Sequence, residues 1–284
     1  MATDYFSLTE KTSSPTEIPG KEIKMKTINQ FACKHQKLYF VILALLYIVP
    51  TTAIFLLLEI PSALPLILAI ELFIVYAHTA SAPAFYIREG LDTLSNCDPY
   101  PLLKEVEELE KMKLGRSQHQ NVRLNKAACL LAIGEFEKAK EVIEAVDVDL
   151  SIPLAEGKMV YYNNLAAIYE MLGEKALSLF LSKKALFIYD CMKEGKAKKN
   201  LEFTAGCLKT TICRLNGEYS TALSIASAIV AKTPYQIAQK AYECALAYKE
   251  LQDVENEKTA LYAVVSRTDK LYIGINAKKR LDQI

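Results

Sequence analysis

Catalysis and metal binding need side chains that can meet, and this chain carries few that do. The three histidines, His35, His78 and His119, fall in different predicted segments. The seven cysteines (Cys33, Cys97, Cys129, Cys191, Cys207, Cys213 and Cys244) contain no CxxC pair. A structural zinc site uses closely spaced Cys or His ligands, and a secreted disulfide framework uses an even number of cysteines. Neither is expected here. Most of the cysteines have apolar neighbours, where a free thiol serves as a small core residue in a reducing compartment. No HExxH, GxSxG, Walker-type glycine loop or dinucleotide fingerprint occurs. The chain therefore reads as a non-enzyme with no cofactor and no metal ligands. A net charge of +1 gives no whole-chain electrostatic case for nucleic acid.

Two ionisable residues stand out for their surroundings. Glu71 and His78 lie inside an apolar run, seven positions apart and so on nearly one helix face. Ionisable groups within a membrane are functional candidates, because burying them without partners is costly. Hydrogen bonding between neighbouring helices is the plainer account of both.

The elements that must position these residues begin with a basic tail. Residues 1–37 read as a disordered segment, rich in Ser, Thr, Glu and Lys, with Lys21, Lys24, Lys26, Lys34 and Lys37 toward its end. An uncharged run follows from Leu38 to Leu58, about 31 Å long as a helix and matched to the hydrocarbon core of a bilayer. A second apolar run extends from Leu66 to Tyr86, after a turn containing Glu59, Pro61 and Pro65. Residues 38–86 are thus expected to form a two-span transmembrane hairpin. The turn has no Lys or Arg, whereas the tail is basic and Arg88 follows the second span. That distribution predicts both termini and everything after Arg88 in the cytoplasm, at the plasma membrane if the chain is bacterial.

The remaining chain has no Trp and little Val/Thr alternation, which favours helices over sheets. Residues 87–117 read as a linker and lead-in helix, with Leu102, Leu103, Val106 and Leu109 at helical spacing. A repeated pattern then appears. Gly134 is preceded by Ala127 and Leu130 and followed by Ala139. Gly173 has Ala166 and Tyr169 behind it and Ser178 and Ala185 ahead, while Gly217 has Thr210 and Cys213 behind it and Ala222 ahead. In a fourth unit Gln252 takes the turn position, with Ala245 and Tyr248 behind it. Small residues let two helices approach closely, and glycine permits the left-handed turn that ends a helix sharply.

This set resembles the tetratricopeptide repeat (TPR) family, over roughly residues 121–265. The resemblance implies an all-α fold in which antiparallel helix pairs stack into a TPR-like α-solenoid. Repeats would occupy residues 118–266, and a capping helix residues 267–284 with Leu271, Ile275 and Leu281 facing inward. The turn residues are 39, 44 and 35 positions apart, against about 34 for the family. The excess falls at residues 147–156 and 190–200. Lys175 stands where an aromatic residue is usual, and Glu257 where a small one is usual.

In that family the first helix of each pair lines a concave groove. The corresponding residues here are Asn121 and Asn125 from the first unit and Asn163, Asn164 and Glu170 from the second. Arg214 comes from the third unit, and Tyr242 and Lys249 from the fourth. Asn125 and Asn164 are suited to gripping an extended peptide, since an amide both donates and accepts. The expected function is a membrane-anchored cytoplasmic scaffold or adaptor that binds a protein or peptide in this groove. The competing expectation is a small membrane sensor or transport-accessory subunit working through Glu71 and His78. Two basic clusters, one at Lys193, Lys196, Lys198 and Lys199 and one at Lys278, Lys279 and Arg280, are candidate contacts for anionic lipid or an acidic partner.

Overall fold

The computed structural model describes residues 19–57, 64–152 and 154–284, and every element among them is a helix. The described residues divide into two compact units. One runs up to Arg88 and includes Glu108–Leu114, and the other comprises Glu89–Glu107 and Gly115–Ile284.

The first unit contains α1 (Pro19–Lys34), α2 (Gln36–Leu57) and α3 (Leu64–Tyr86). Helix α1 corrects the expectation of a disordered tail over its own span. Its Asn29, Ala32 and Cys33 are buried, at spacings that put them on one helix face, and α1 packs against α3 and α2. Residues 1–18 lie outside the described residues, as does the turn at 58–63 with Glu59 and Pro61. Helices α2 and α3 pack together, and both are long and apolar enough to cross a membrane. Their outward faces expose Leu45, Leu46, Val49, Leu66, Phe73 and Tyr76. A contiguous apolar surface of this kind is unusual on a soluble protein.

The second unit begins with most of α4 (Arg88–Ser95) and of α5 (Tyr100–Glu110). Four helix pairs follow: α6 (Arg116–Ile133) with α7 (Phe136–Glu144), α9 (Ala155–Met171) with α10 (Lys175–Cys191), α12 (Glu202–Leu215) with α13 (Tyr219–Ala228), and α14 (Pro234–Glu250) with α15 (Val254–Val265). The extra residues between the first three pairs form two short helices, α8 (Val148–Ser151) and α11 (Lys196–Asn200). The last element is α16 (Tyr272–Leu281).

All four turn positions have left-handed backbone: Gly134, Gly173 and Gly217 at φ 90°, 87° and 82°, and Gln252 at 60°. The same two hydrogen bonds close each turn. Glu135 N–H donates to the Leu130 carbonyl and Gly134 N–H to that of Leu131, and the other three turns repeat both bonds at the same offsets. This is the Schellman arrangement, which satisfies carbonyls that a helix end leaves open. An acidic residue follows each turn position (Glu135, Glu174, Glu218 and Asp253), where the positive end of the next helix dipole favours it. Cys97, at φ 66°, closes α4 with the same pair of bonds. Helices α4 and α5 are therefore a further close pair rather than a linker and one helix. Gly90 N–H donates to Glu105 Oε2 at 3.2 Å, and a Cβ at Gly90 would stand 2.7 Å from the Leu102 backbone.

Small residues form the seams as their spacing suggests. Ala127, Ala139, Ala185, Ala222 and Thr210 are fully buried, as is Ser178. Glu257 is the exception, buried at a small-residue position. Its two carboxylate oxygens accept hydrogen bonds from Arg280 of α16 at 2.7 and 3.1 Å, so the departure serves to hold the terminal helix. Within α16 the inward residues are Gly274 and Ala277, with Leu271 buried just before it. Ile275 is 53% exposed, which corrects the inward orientation expected for it. Leu271, whose own backbone is extended just before α16, packs with Cys97 and Ala238.

Candidate ligand-binding cavity

The first helices of the four pairs share one cavity of about 270 Å³. Helix α6 contributes Ala128, Leu131 and Ala132, and α9 contributes Val160, Asn163, Asn164, Ala167 and Glu170. Thr204, Cys207, Leu208, Thr211 and Arg214 come from α12, and Tyr235, Gln239, Tyr242 and Glu243 from α14. Leu91 and Leu94 of α4 and the segment Leu271–Ile273 complete the lining. That C-terminal segment reaches the first pair directly: the Tyr272 ring meets Phe136 edge-on at 4.7 Å, and Lys270 pairs with Asp98.

Of the residues expected in a groove, Asn163, Asn164, Glu170, Arg214 and Tyr242 come together around this cavity. Asn125 does not. It is 2% exposed, and its Nδ2 donates to the Asn121 carbonyl one turn back at 3.1 Å. Neither Asn121 nor Asn125 lines the cavity, which corrects their assignment to it. Lys249 is exposed and borders a separate cavity of about 260 Å³ with Tyr242, Glu257 and Arg280. The offset that places a residue on the correct helix does not fix which of two adjacent cavities it faces.

The two acidic residues of the larger cavity, Glu170 and Glu243, meet at Arg214. Its Nη2 donates to Glu170 Oε1 at 2.5 Å, and its Nε lies 3.9 Å from Glu243 Oε2. Gln239 Nε2 donates to the other oxygen of Glu243 at 3.0 Å. Burial pushes the Glu243 carboxyl up to about 7 against the pull of Arg214, and the negative Glu170 adds to the rise. Tyr242 is pushed up to about 12, chiefly by burial, and its hydroxyl accepts from Asn276 Nδ2 at 2.5 Å. Asn163 Nδ2 donates to Asn164 Oδ1 at 3.2 Å. Burial likewise raises the Cys207 thiol well above its usual range, so it is a wall residue and a poor nucleophile.

Gln239, Ser182, Leu91, Leu94 and the Leu271–Ile273 segment were not legible as lining residues. Gln239 stands four before Glu243 on α14, the spacing of a helical side-chain pair, and this was the one available signal. Among the described residues no group of three or more His, Cys, Asp and Glu is placed to hold a metal ion. All seven cysteines are free thiols.

In the first unit, polar residues of the two apolar helices meet in pairs. Thr51 Oγ1 donates to Glu71 Oε1 at 2.5 Å, and the Tyr39 hydroxyl lies 3.0 Å from His78 Nε2. The basic clusters are partly committed elsewhere. Lys198 donates to Glu194 Oε1 at 2.7 Å and to the Met192 carbonyl at 3.2 Å, and Arg280 is held by Glu257. In comparisons with protein-family models, with curated proteins and with solved structures, no family, relative or structural neighbour matches the chain.

Proposed function

We propose that this protein is a membrane-anchored scaffold of tetratricopeptide-repeat type, whose concave groove binds a protein or peptide on the cytoplasmic side. The observation that carries the proposal is the convergence of α6, α9, α12 and α14 on one cavity. Recurrence of the same left-handed turn and the same closing bonds supports the repeat reading. The outward apolar faces of α2 and α3 support anchoring in a bilayer. Thr51 holds one oxygen of Glu71 and Tyr39 meets His78 across the two helices, which favours a structural role for both over a sensor or transport role. The other Glu71 oxygen, buried without a partner, is what the sensor reading rests on.

Two measurements test the proposal. Cys191 is exposed and is the better topology reporter, because the thiols of Cys207 and Cys244 are raised by burial. An impermeant maleimide should label Cys191 only after the membrane is opened, and labelling in intact cells would reverse the orientation. A photo-crosslinking residue at Thr204, inside the cavity, should capture a partner that one at Tyr262, on the outer surface, does not. Loss of function in Glu71→Gln with wild-type function in cavity variants would instead favour the sensor reading.

A further inference from the structure

Several buried polar atoms of residues lining the cavity have no hydrogen-bond partner, and two of them face each other. Arg214 Nη2 is committed to Glu170, and Glu243 Oε1 to Gln239. The remaining Arg214 Nε and Glu243 Oε2 face each other at 3.9 Å, beyond hydrogen-bond reach. Neither has another partner, and Glu243 is only 5% exposed. Asn164 Nδ2, on the wall formed by α9, is a third buried atom without a partner. A buried donor and a buried acceptor left open are costly, and a ligand that supplies both halves removes the cost.

The charges decide which ligand that is. A carboxylate could accept from Arg214 Nε and Asn164 Nδ2, but above about pH 7, where Glu243 has lost its proton, it would press against Glu243 Oε2 with Glu170 also nearby. An ammonium could donate to Glu243 Oε2 but would meet the Arg214 guanidinium. One residue within a peptide does both, because in extended backbone its own N–H and C=O point to the same side: the N–H donates to Glu243 Oε2 and the carbonyl accepts from Arg214 Nε, leaving Asn164 Nδ2 for a neighbouring carbonyl. Much of the remaining wall, including Leu131, Val160, Leu208 and Leu246, is apolar. An apolar cavity of about 150 Å³ accommodates benzene, so one of 270 Å³ suits about a dozen non-hydrogen atoms. This is the size of one leucine residue with the amide group on each side.

We infer, building on the groove reading above, that the cavity takes an uncharged apolar residue from within a peptide, its flanking amides included, and rejects a chain end carrying a free carboxylate or ammonium. The test uses the full chain in lipid nanodiscs at pH 8, where Glu243 is ionised. The N-acetyl amide of photo-leucine, the diazirine analogue of leucine, is photolysed and the labelled positions are mapped by mass spectrometry. Labelling is expected within residues 200–211 or 235–246. N-acetyl-leucinamide should suppress it at a concentration at least about tenfold lower than N-acetyl-leucine or leucinamide, since tenfold is the effect of one lost polar contact. Cavity labelling with equal or reversed competition would overturn the charge preference and leave the groove reading standing. Absence of cavity labelling would overturn both. Thr211→Phe, which fills the cavity, should abolish labelling, while the competition series in the unsubstituted chain decides the matter even if that variant does not fold.

Discussion

The second and fourth helix pairs share a backbone plan and solve it with different side chains. In the second, Gly173 takes the left-handed turn and the seam is made by Ser178 and Ala185, both buried. In the fourth, Gln252 takes the same turn and a glutamate, Glu257, fills the corresponding seam position. The fourth pair also buries Glu243 on its cavity side. It therefore holds two buried carboxylates by opposite means. Glu257 is gripped in a two-point pair by Arg280, and Glu243 is left short of partners and raised toward neutrality. The turn recurs because its closing hydrogen bonds recur, not because the residue does. The seam tolerates a large polar side chain where another helix supplies a matching charge.

Removing Arg280 should break the comparison most severely. Arg280→Ala leaves Glu257 buried and unpaired, and a loss of about 3 kcal/mol in unfolding free energy is expected. Glu257→Ala should cost less, because it restores the small residue of the other seams and leaves the more exposed arginine to water. Chemical denaturation of the pair of variants measures both, and equal losses would contradict this account of Glu257.

Glu243 predicts a pH dependence whose sign is opposite to that of a salt-bridged carboxylate. The native carboxyl keeps its proton to about pH 7, whereas its ordinary value is 4.5. Between these values the native state binds more protons than the unfolded one, so stability should fall as pH rises through that window. The fall should be on the order of 3 kcal/mol, and Glu243→Gln should flatten it. Denaturation midpoints at pH 5 and pH 8 provide the check, and a rise with pH would show that Arg214 outweighs burial.

The turn glycines allow a finer comparison. Gly173→Ala meets no neighbour, so only the left-handed backbone opposes it, at about 1–2 kcal/mol. Gly134→Ala should cost more, since the added Cβ would lie 3.0 Å from the Tyr272 ring. Equal melting temperatures for the two variants would mean that the contact of Tyr272 with the first pair contributes little. The smallest effect expected is a gain. Gln252→Gly relieves a non-glycine residue of positive φ and should stabilise by about 0.5–1 kcal/mol, seen as a modest rise in melting temperature.

Much of the helical order was legible because it rests on local rules. Glycine at a helix end, small residues seven before and about five after it, and uninterrupted apolar runs each follow from steric or solvation effects within a few turns of chain. The lead-in region was less legible, since Cys97 gives no glycine signal at the turn that closes α4. Helix α1 was hidden by its lysines, since the buried positions among its described side chains, Asn29, Ala32 and Cys33, include only one plainly apolar residue. Asn125 was placed on the correct helix and the wrong side: its neighbours decide whether its amide faces a cavity or the carbonyl of Asn121.

The sequence by itself determined that the described chain is helical, that two of its helices suit a bilayer, and where the four turns fall. These are consequences of side-chain hydrophobicity and backbone sterics acting over short separations. Only the tertiary structure decided which polar residues share a cavity, because Asn164, Arg214 and Glu243 are brought together from three different helices. It also decided the charge state to which Glu243 is pushed and the partner of Glu257. Both depend on burial and on the distance to an arginine, Arg214 for Glu243 and Arg280 for Glu257, which packing sets and sequence spacing does not.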